Sequence, residues 1–218
     1  STISPAANIQ KDSRYMLPNQ INIFEQGDVQ MVSSEKSFYD AFRFVYNYKT
    51  SATAYSNIHV MHTPLIPAHD SMMFRIKPTK EIPASASNRV IMIHNSRGKT
   101  VVERAALVKG WYEAKSRDFG EFWLEVDQVP PTLAVAGVVD GGTVGNGSTI
   151  TCTVADNKKA IYSFRAELDG EWLMFSGLGP VYRYRVDEHC PPGEHELKIT
   201  VEDEAGNTTE RIIRFTRK

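Results

Sequence analysis

Gly120-Glu121-Phe122-Trp123-Leu124-Glu125-Val126-Asp127-Gln128-Val129-Pro130-Pro131 carries the two signals that decide the fold. Its first half alternates. Phe122, Leu124 and Val126 fall on one side of an extended chain, and Glu121, Trp123 and Glu125 on the other. Successive side chains of a strand point to opposite faces, so this is a half-buried β-strand with one apolar face. The second half ends it. Consecutive prolines lack the N–H groups that a central strand needs, and they stiffen the link to the next segment. A domain boundary is expected there.

The same period recurs on both sides. Met72, Phe74 and Ile76 alternate with Met73, Arg75 and Lys77. Beyond the prolines, Ile150, Cys152 and Val154 alternate with threonines, and Leu197, Ile199 and Val201 with Glu196, Lys198 and Glu202. Tyr162, Phe164, Ala166 and Leu168 are expected on one face, with Ile161, Ser163, Arg165 and Glu167 on the other. Turn signals separate the runs: a loop over 141–147, Asp169-Gly170 as a tight hairpin, Pro191-Pro192-Gly193 as a break, and Ala205-Gly206-Asn207 as the turn into the last strand. Residues 37–48 are ambiguous, since Phe38, Phe42 and Tyr46 also fit a helical spacing. A turn near 35–40 followed by a strand is the favoured reading.

These patterns predict an all-β chain of two tandem Ig-like or fibronectin-like antiparallel sandwiches. The expected layout is an irregular arm over 1–20, a first sandwich over 21–128 and a second over 129–218. The length of 218 residues suits two domains of about 100 residues each. Residues 1–128 carry net charge +2 and residues 129–218 carry −3. Neither half has the field that a nucleic-acid partner requires. No run of about 20 apolar residues exists to span a membrane. Ser1 in place of Met points to a trimmed or mature chain, so the lack of a leader says nothing about location.

Catalytic chemistry is hard to place. His59 and His62, three apart on an extended stretch, face opposite ways and suit a shared metal poorly. There is no H-E-x-x-H, H-x-H, C-x-x-C or G-x-S-x-G, and the glycines at 141–147 match no phosphate loop. Cys152 and Cys190 are either two separate thiols or a non-standard disulfide. Asp156, Asp203 and Glu204 stand at strand ends, where calcium binding competes with capping of turn backbone. The aromatics Trp111, Tyr112, Trp123, Trp172, Tyr182 and Tyr184 are candidates for a ligand platform, and Trp111, Trp123 and Trp172 are the candidate binding residues. No catalytic, cofactor-binding or metal residue is expected.

Several landmarks, in order, give the chain a family likeness. They are Asn22-Ile23-Phe24, Phe38-Tyr39, Ile66-Pro67-Ala68-His69-Asp70, Arg117-Asp118-Phe119-Gly120, Val129-Pro130-Pro131, Asp169-Gly170-Glu171-Trp172, and Asp203 with Gly206-Asn207. Over roughly 20–218 the chain resembles the C-terminal, non-peptidase part of lysostaphin/LytM-type zinc metallopeptidases of the Bacteroidetes cell envelope. The second module alone resembles many bacterial Ig-like domains. That family holds zinc with H-x-x-x-D and H-x-H. The residues four after the six histidines are Thr63, Ile66, Met73, Gly98, Gly193 and Ile199, so no zinc ligand carries over.

The resemblance implies a non-enzymatic accessory region in the cell envelope, periplasmic or surface-exposed. Its partners would be an upstream peptidase domain and peptidoglycan or an envelope protein, with no cofactor. The alternative is a structural spacer or adhesion-type module. Burial of all three tryptophans would favour the spacer, and a groove lined by an exposed one would favour binding.

Overall fold

The computed structural model describes residues 12–218, which divide after Gln128 into two compact units. In the first, the strands are β1 (Asp12–Met16), β2 (Asn22–Gln26), β3 (Val29–Ser33), β4 (Phe42–Lys49), β5 (Ile58–Met61), β6 (Met72–Ile76), β7 (Val90–Ser96), β8 (Lys99–Arg104), β9 (Ala106–Val108), β10 (Trp111–Ser116) and β11 (Gly120–Val126). They form a six-stranded sheet, β1-β4-β5-β11-β7-β8, and a five-stranded sheet, β2-β3-β6-β10-β9. Every pairing in both is antiparallel.

The two sheets meet through their apolar faces. Phe74 of β6 stacks on Phe122 of β11 at 4.0 Å between ring centroids, and Phe24 of β2 meets Phe44 of β4 at 4.9 Å. All four rings are buried. A fully buried Phe contributes about 1.5–3 kcal/mol relative to an exposed one, so this aromatic seam is a principal source of the unit's stability. The strict alternation of β3 and β6 places Val29, Met31, Met72, Phe74 and Ile76 in the same core. The ambiguous aromatic stretch resolves as expected, with Ser37 N–H closing a turn onto Ser34 and β4 starting at Phe42.

One expectation about this unit needs correcting. Within the arm expected over 1–20, Asp12–Met16 forms β1, paired with β4 from Asp12 against Tyr46 to Met16 against Phe42. Met16 is buried in the core, and that burial draws the segment into the sheet. Residues 1–11 lie outside the described residues.

The second unit has β12 (Thr132–Ala136), β13 (Gly142–Val144), β14 (Thr149–Ala155), β15 (Ile161–Leu168), β16 (Glu171–Trp172), β17 (Val181–Arg185), β18 (Gly193–Asp203) and β19 (Thr208–Arg217). A three-stranded sheet, β12-β14-β17, faces a five-stranded one, β13-β19-β18-β15-β16. The ring of Phe164 on β15 stacks across on Tyr182 of β17 at 4.0 Å. Asp169 and Gly170, both at positive φ, form the tight β15–β16 turn. Two details differ from the sequence pattern. The loop over 141–147 contains β13, which pairs in parallel with β19. A bulge between Ile161 and Ser163 shifts the register, so Tyr162 is 56% exposed instead of sharing a buried face with Ala166 and Leu168.

Candidate functional site

The six histidines are each held by local partners. In the first unit, His59 is fully buried, its Nδ1 2.9 Å from the Tyr46 hydroxyl. Its Nε2 has no hydrogen-bond partner and lies 3.8 Å from Asp28 Oδ2. Burial pushes its pKa down to about 4, against the opposing pull of Asp28. His62, at positive φ, lies against the Phe42 ring, and burial lowers its pKa too. His94 stacks on Phe122 at 4.2 Å, with Ser116 Oγ 3.2 Å from Nδ1. His69 Nδ1 meets the Tyr39 hydroxyl at 2.8 Å.

In the second unit, His195 has both ring nitrogens 2.6 Å from an acceptor: Nδ1 from Asp169 Oδ2 and Nε2 from the Pro191 carbonyl. A neutral imidazole has one N–H to donate, so two such bonds call for the imidazolium. Burial works against that charge, but the Pro191 carbonyl and Asp169 outweigh it, and the net effect raises the pKa. His189 Nδ1 lies 3.2 Å from Asp187 Oδ1.

The other candidates are occupied in packing and turns. Cys152 and Cys190 are free thiols buried in the second core, which decides between the two readings of the pair. Asp156 Oδ2 accepts the N–H groups of Lys158 (2.8 Å) and Ala160 (3.1 Å). Asp203 accepts the Asn207 N–H and side-chain amide, both at 2.8 Å. Both carboxylates thus cap turns, and Asp156 Oδ1 is buried without a hydrogen-bond partner. Asp187, Glu188 and His189 bring ligand-type atoms close together, but Asp187 Oδ1 already accepts from the Tyr184 hydroxyl at 2.8 Å and the His189 N–H at 3.1 Å.

The three tryptophans have separate settings. Trp111 begins β10 in the five-stranded sheet of the first unit, half-buried, with the Lys77 ammonium 4.4 Å from its ring centroid. Trp123 lies on β11 in the opposite sheet, half-buried, and its indole N–H donates to Glu125 Oε1 at 2.8 Å. Trp172, in the second unit, is 63% exposed. It lines a cleft of about 510 Å³ together with Met174, Arg183, Tyr184, Arg185 and His189. Arg183 and Arg185 were not singled out by sequence. The alternation of β17, with Tyr184 buried between them, is the signal that puts both on one outward face.

The landmark Arg117-Asp118-Phe119-Gly120 has a structural explanation. Phe119 is fully buried among Phe38, Phe42 and Phe44. Gly120 has φ +154°, and a Cβ there would fall 2.3 Å from the Asn95 carbonyl oxygen.

A family model described as the Zu5-like domain matches residues 13–127, the span from β1 to the end of β11. The chain belongs to the Zu5-like domain family. The Zu5-like module is thus the first unit, and the second two-sheet β unit follows it. No curated protein matches the sequence. Among solved structures, the endo-β-1,4-mannanase of Thermotoga petrophila aligns at 19% identity over 42% of this chain, TM-score 0.37; the alignment spans only 20% of the mannanase. The fibronectin(III)-like modules of Clostridium thermocellum CbhA align at 15% identity over 68% of this chain and 84% of theirs, TM-score 0.35. The tandem Ig repeats of Dlar align at 9% identity over 68% of this chain and 89% of theirs, TM-score 0.29. None of these comparisons links the Zu5-like chain to envelope metallopeptidases. No helix among the described residues is long and apolar enough to cross a membrane.

Proposed function

We propose that this Zu5-like chain is a non-catalytic accessory region that positions a cell-envelope peptidoglycan metallopeptidase on its substrate. The observation that favours this over a plain spacer is a groove lined by an exposed tryptophan, Trp172, together with Met174, Arg183 and His189. The placement of the histidines and cysteines supports the non-catalytic part. His59, His94 and His195 lie in the cores with internal hydrogen bonds, and both thiols are buried. The ordered landmarks from Asn22 to Asn207 support the envelope context through the sequence resemblance.

Co-sedimentation of the full chain with purified sacculi at low salt tests the binding half. Retention in the pellet is expected, and a chain that stays in the supernatant refutes wall binding. The peptidase half is tested by reading the complete open reading frame. An upstream H-x-x-x-D with an H-x-H is expected, and a frame without them refutes it.

A further inference from the structure

In the first unit, β1 and β8 end one sheet and β2 and β9 end the other. A strand edge invites pairing with another chain unless charge or shortness blunts it. β1 carries Asp12 and Arg14, β8 carries Lys99, Glu103 and Arg104, and β9 is three residues long. β2 is not blunted in this way. Its two-residue turn into β3 makes Gln26 and Val29 a hydrogen-bonded pair, so Phe24 and Asn22 also bond toward β3. The N–H and C=O groups of Ile23 and Glu25 therefore point away from β3. Among the described residues, no backbone partner meets them there. Ile21 and Ile23 are 57% and 58% exposed on this edge.

The outer face of the sheet continues the apolar edge. Ile23 pairs with Val32 of β3 and Val32 with Met73 of β6, so the three side chains form one row. Ile21, Val32 and Met73 line a groove of about 510 Å³, with Lys36 in the same lining. Lys36 has no ion-pair partner among the described residues. Of the two carboxylates in the lining, Asp70 accepts the Ser34 hydroxyl at 2.7 Å and Glu35 stands on the exposed turn. The next row of the sheet is closed on itself. Gln30 donates to Glu25, and Arg75 donates to both Gln30 and Glu113.

We propose that this edge pairs antiparallel with β2 of a second copy of the chain, across a two-fold axis at Ile23. In that register the two Ile23 residues exchange N–H···O=C bonds, and the row of Met73, Val32 and Ile23 runs on into its counterpart. Glu25 falls opposite Ile21 of the second copy, beside that copy's Lys36, and the same contact repeats on the other side of the axis. A two-fold axis at Phe24 would instead set Ile23 against Glu25, an apolar side chain against a charge. The edge is thus complementary to itself in one register. With five residues in the strand the interface is small, so the dimer is weak and reversible. This proposal is independent of the accessory reading, because its surface lies on the first unit and the Trp172 groove on the second.

Sedimentation velocity of the full chain, from about 1 µM to about 1 mM, tests association. A monomer that shifts to dimer as concentration rises is expected. Ile23→Lys puts a charge on the axis and is expected to weaken the dimer by about tenfold or more. The position is exposed, so its thermal unfolding should match that of the parent chain. Cysteine pairing under mild oxidation tests the register. Two Ile23→Cys copies bring their Cα atoms to about 5.5 Å, within disulfide reach, and are expected to link. Two Glu25→Cys copies stand roughly 14 Å apart along the strands and are not, whereas Glu25→Cys mixed with Ile21→Cys is expected to link. The parent chain, with both native thiols buried, is expected to stay unlinked. A chain that remains monomeric throughout overturns the proposal, as does an Ile23→Lys variant that dimerises as well as the parent. Glu25→Cys that links to itself as readily as Ile23→Cys overturns the register.

Discussion

Acidification should destabilise the Zu5-like unit through His59. The side chain is fully buried, one nitrogen facing the Tyr46 hydroxyl and the other without a hydrogen bond, so a proton there places charge in the core. The Asp28 carboxylate, 3.8 Å away, offsets only part of the cost, and the pKa falls from 6.5 to about 4. The unfolded chain therefore binds more protons than the folded one between those values. Stability from this group is complete above pH 6.5 and drains away as the pH falls toward 4. At 1.36 kcal/mol per pH unit, moving from pH 7.5 to 4.5 costs about 2–3 kcal/mol. For a unit of this size that lowers the melting temperature by roughly 10 °C. Urea and thermal unfolding of the parent chain and His59→Phe at both pH values measure it. Phenylalanine keeps the ring volume and cannot titrate, so the variant should lose about 2–3 kcal/mol less on acidification. Equal acid sensitivity of the two chains, or a His59 titration by NMR near 6.5, refutes the reasoning.

His195 should act with the opposite sign. Its pKa is raised, so its contribution to the second unit is complete below 6.5 and is lost as the pH rises through the folded value. NMR should place its midpoint above 6.5, with Asp169→Asn bringing it down; a midpoint below 6.5 in the parent chain rejects the doubly bonded imidazolium. Gly120→Ala should destabilise the first unit by on the order of 3 kcal/mol, because the new Cβ meets backbone, not a movable side chain. A denaturation midpoint within error of the parent would show that the contact relaxes cheaply. Burial pushes the Cys152 thiol up to about 12 and raises that of Cys190, so at pH 8 a thiol reagent should label the folded chain slowly and both positions at once in urea. Rapid labelling of the native chain would contradict that burial.

The sequence alone determined the class of fold, because a period of two needs only local geometry. Phe122, Leu124 and Val126 declare one face of a strand wherever that strand lies, and Asp169-Gly170 declares a tight turn from its own conformational preferences. It could also show that the resembled family's zinc ligands have no counterpart here, because those ligands are defined by spacing along the chain. Register and neighbours were beyond it. The bulge that turns Tyr162 outward arises from how β15 pairs with β18, and β1 joins its sheet because Met16 finds a core built by distant strands. The same limit applied to the candidate site. Alternation put Trp123 outward between Glu121 and Glu125 but could not say which carboxylate its indole N–H finds on the folded strand, which is that of Glu125. Nor could it join Trp172 to Arg183 and Arg185, which lie on different strands in different sheets. Side-chain chemistry is written residue by residue, whereas a cleft depends on which strands the two packed sheets place side by side, and only the tertiary structure decides that.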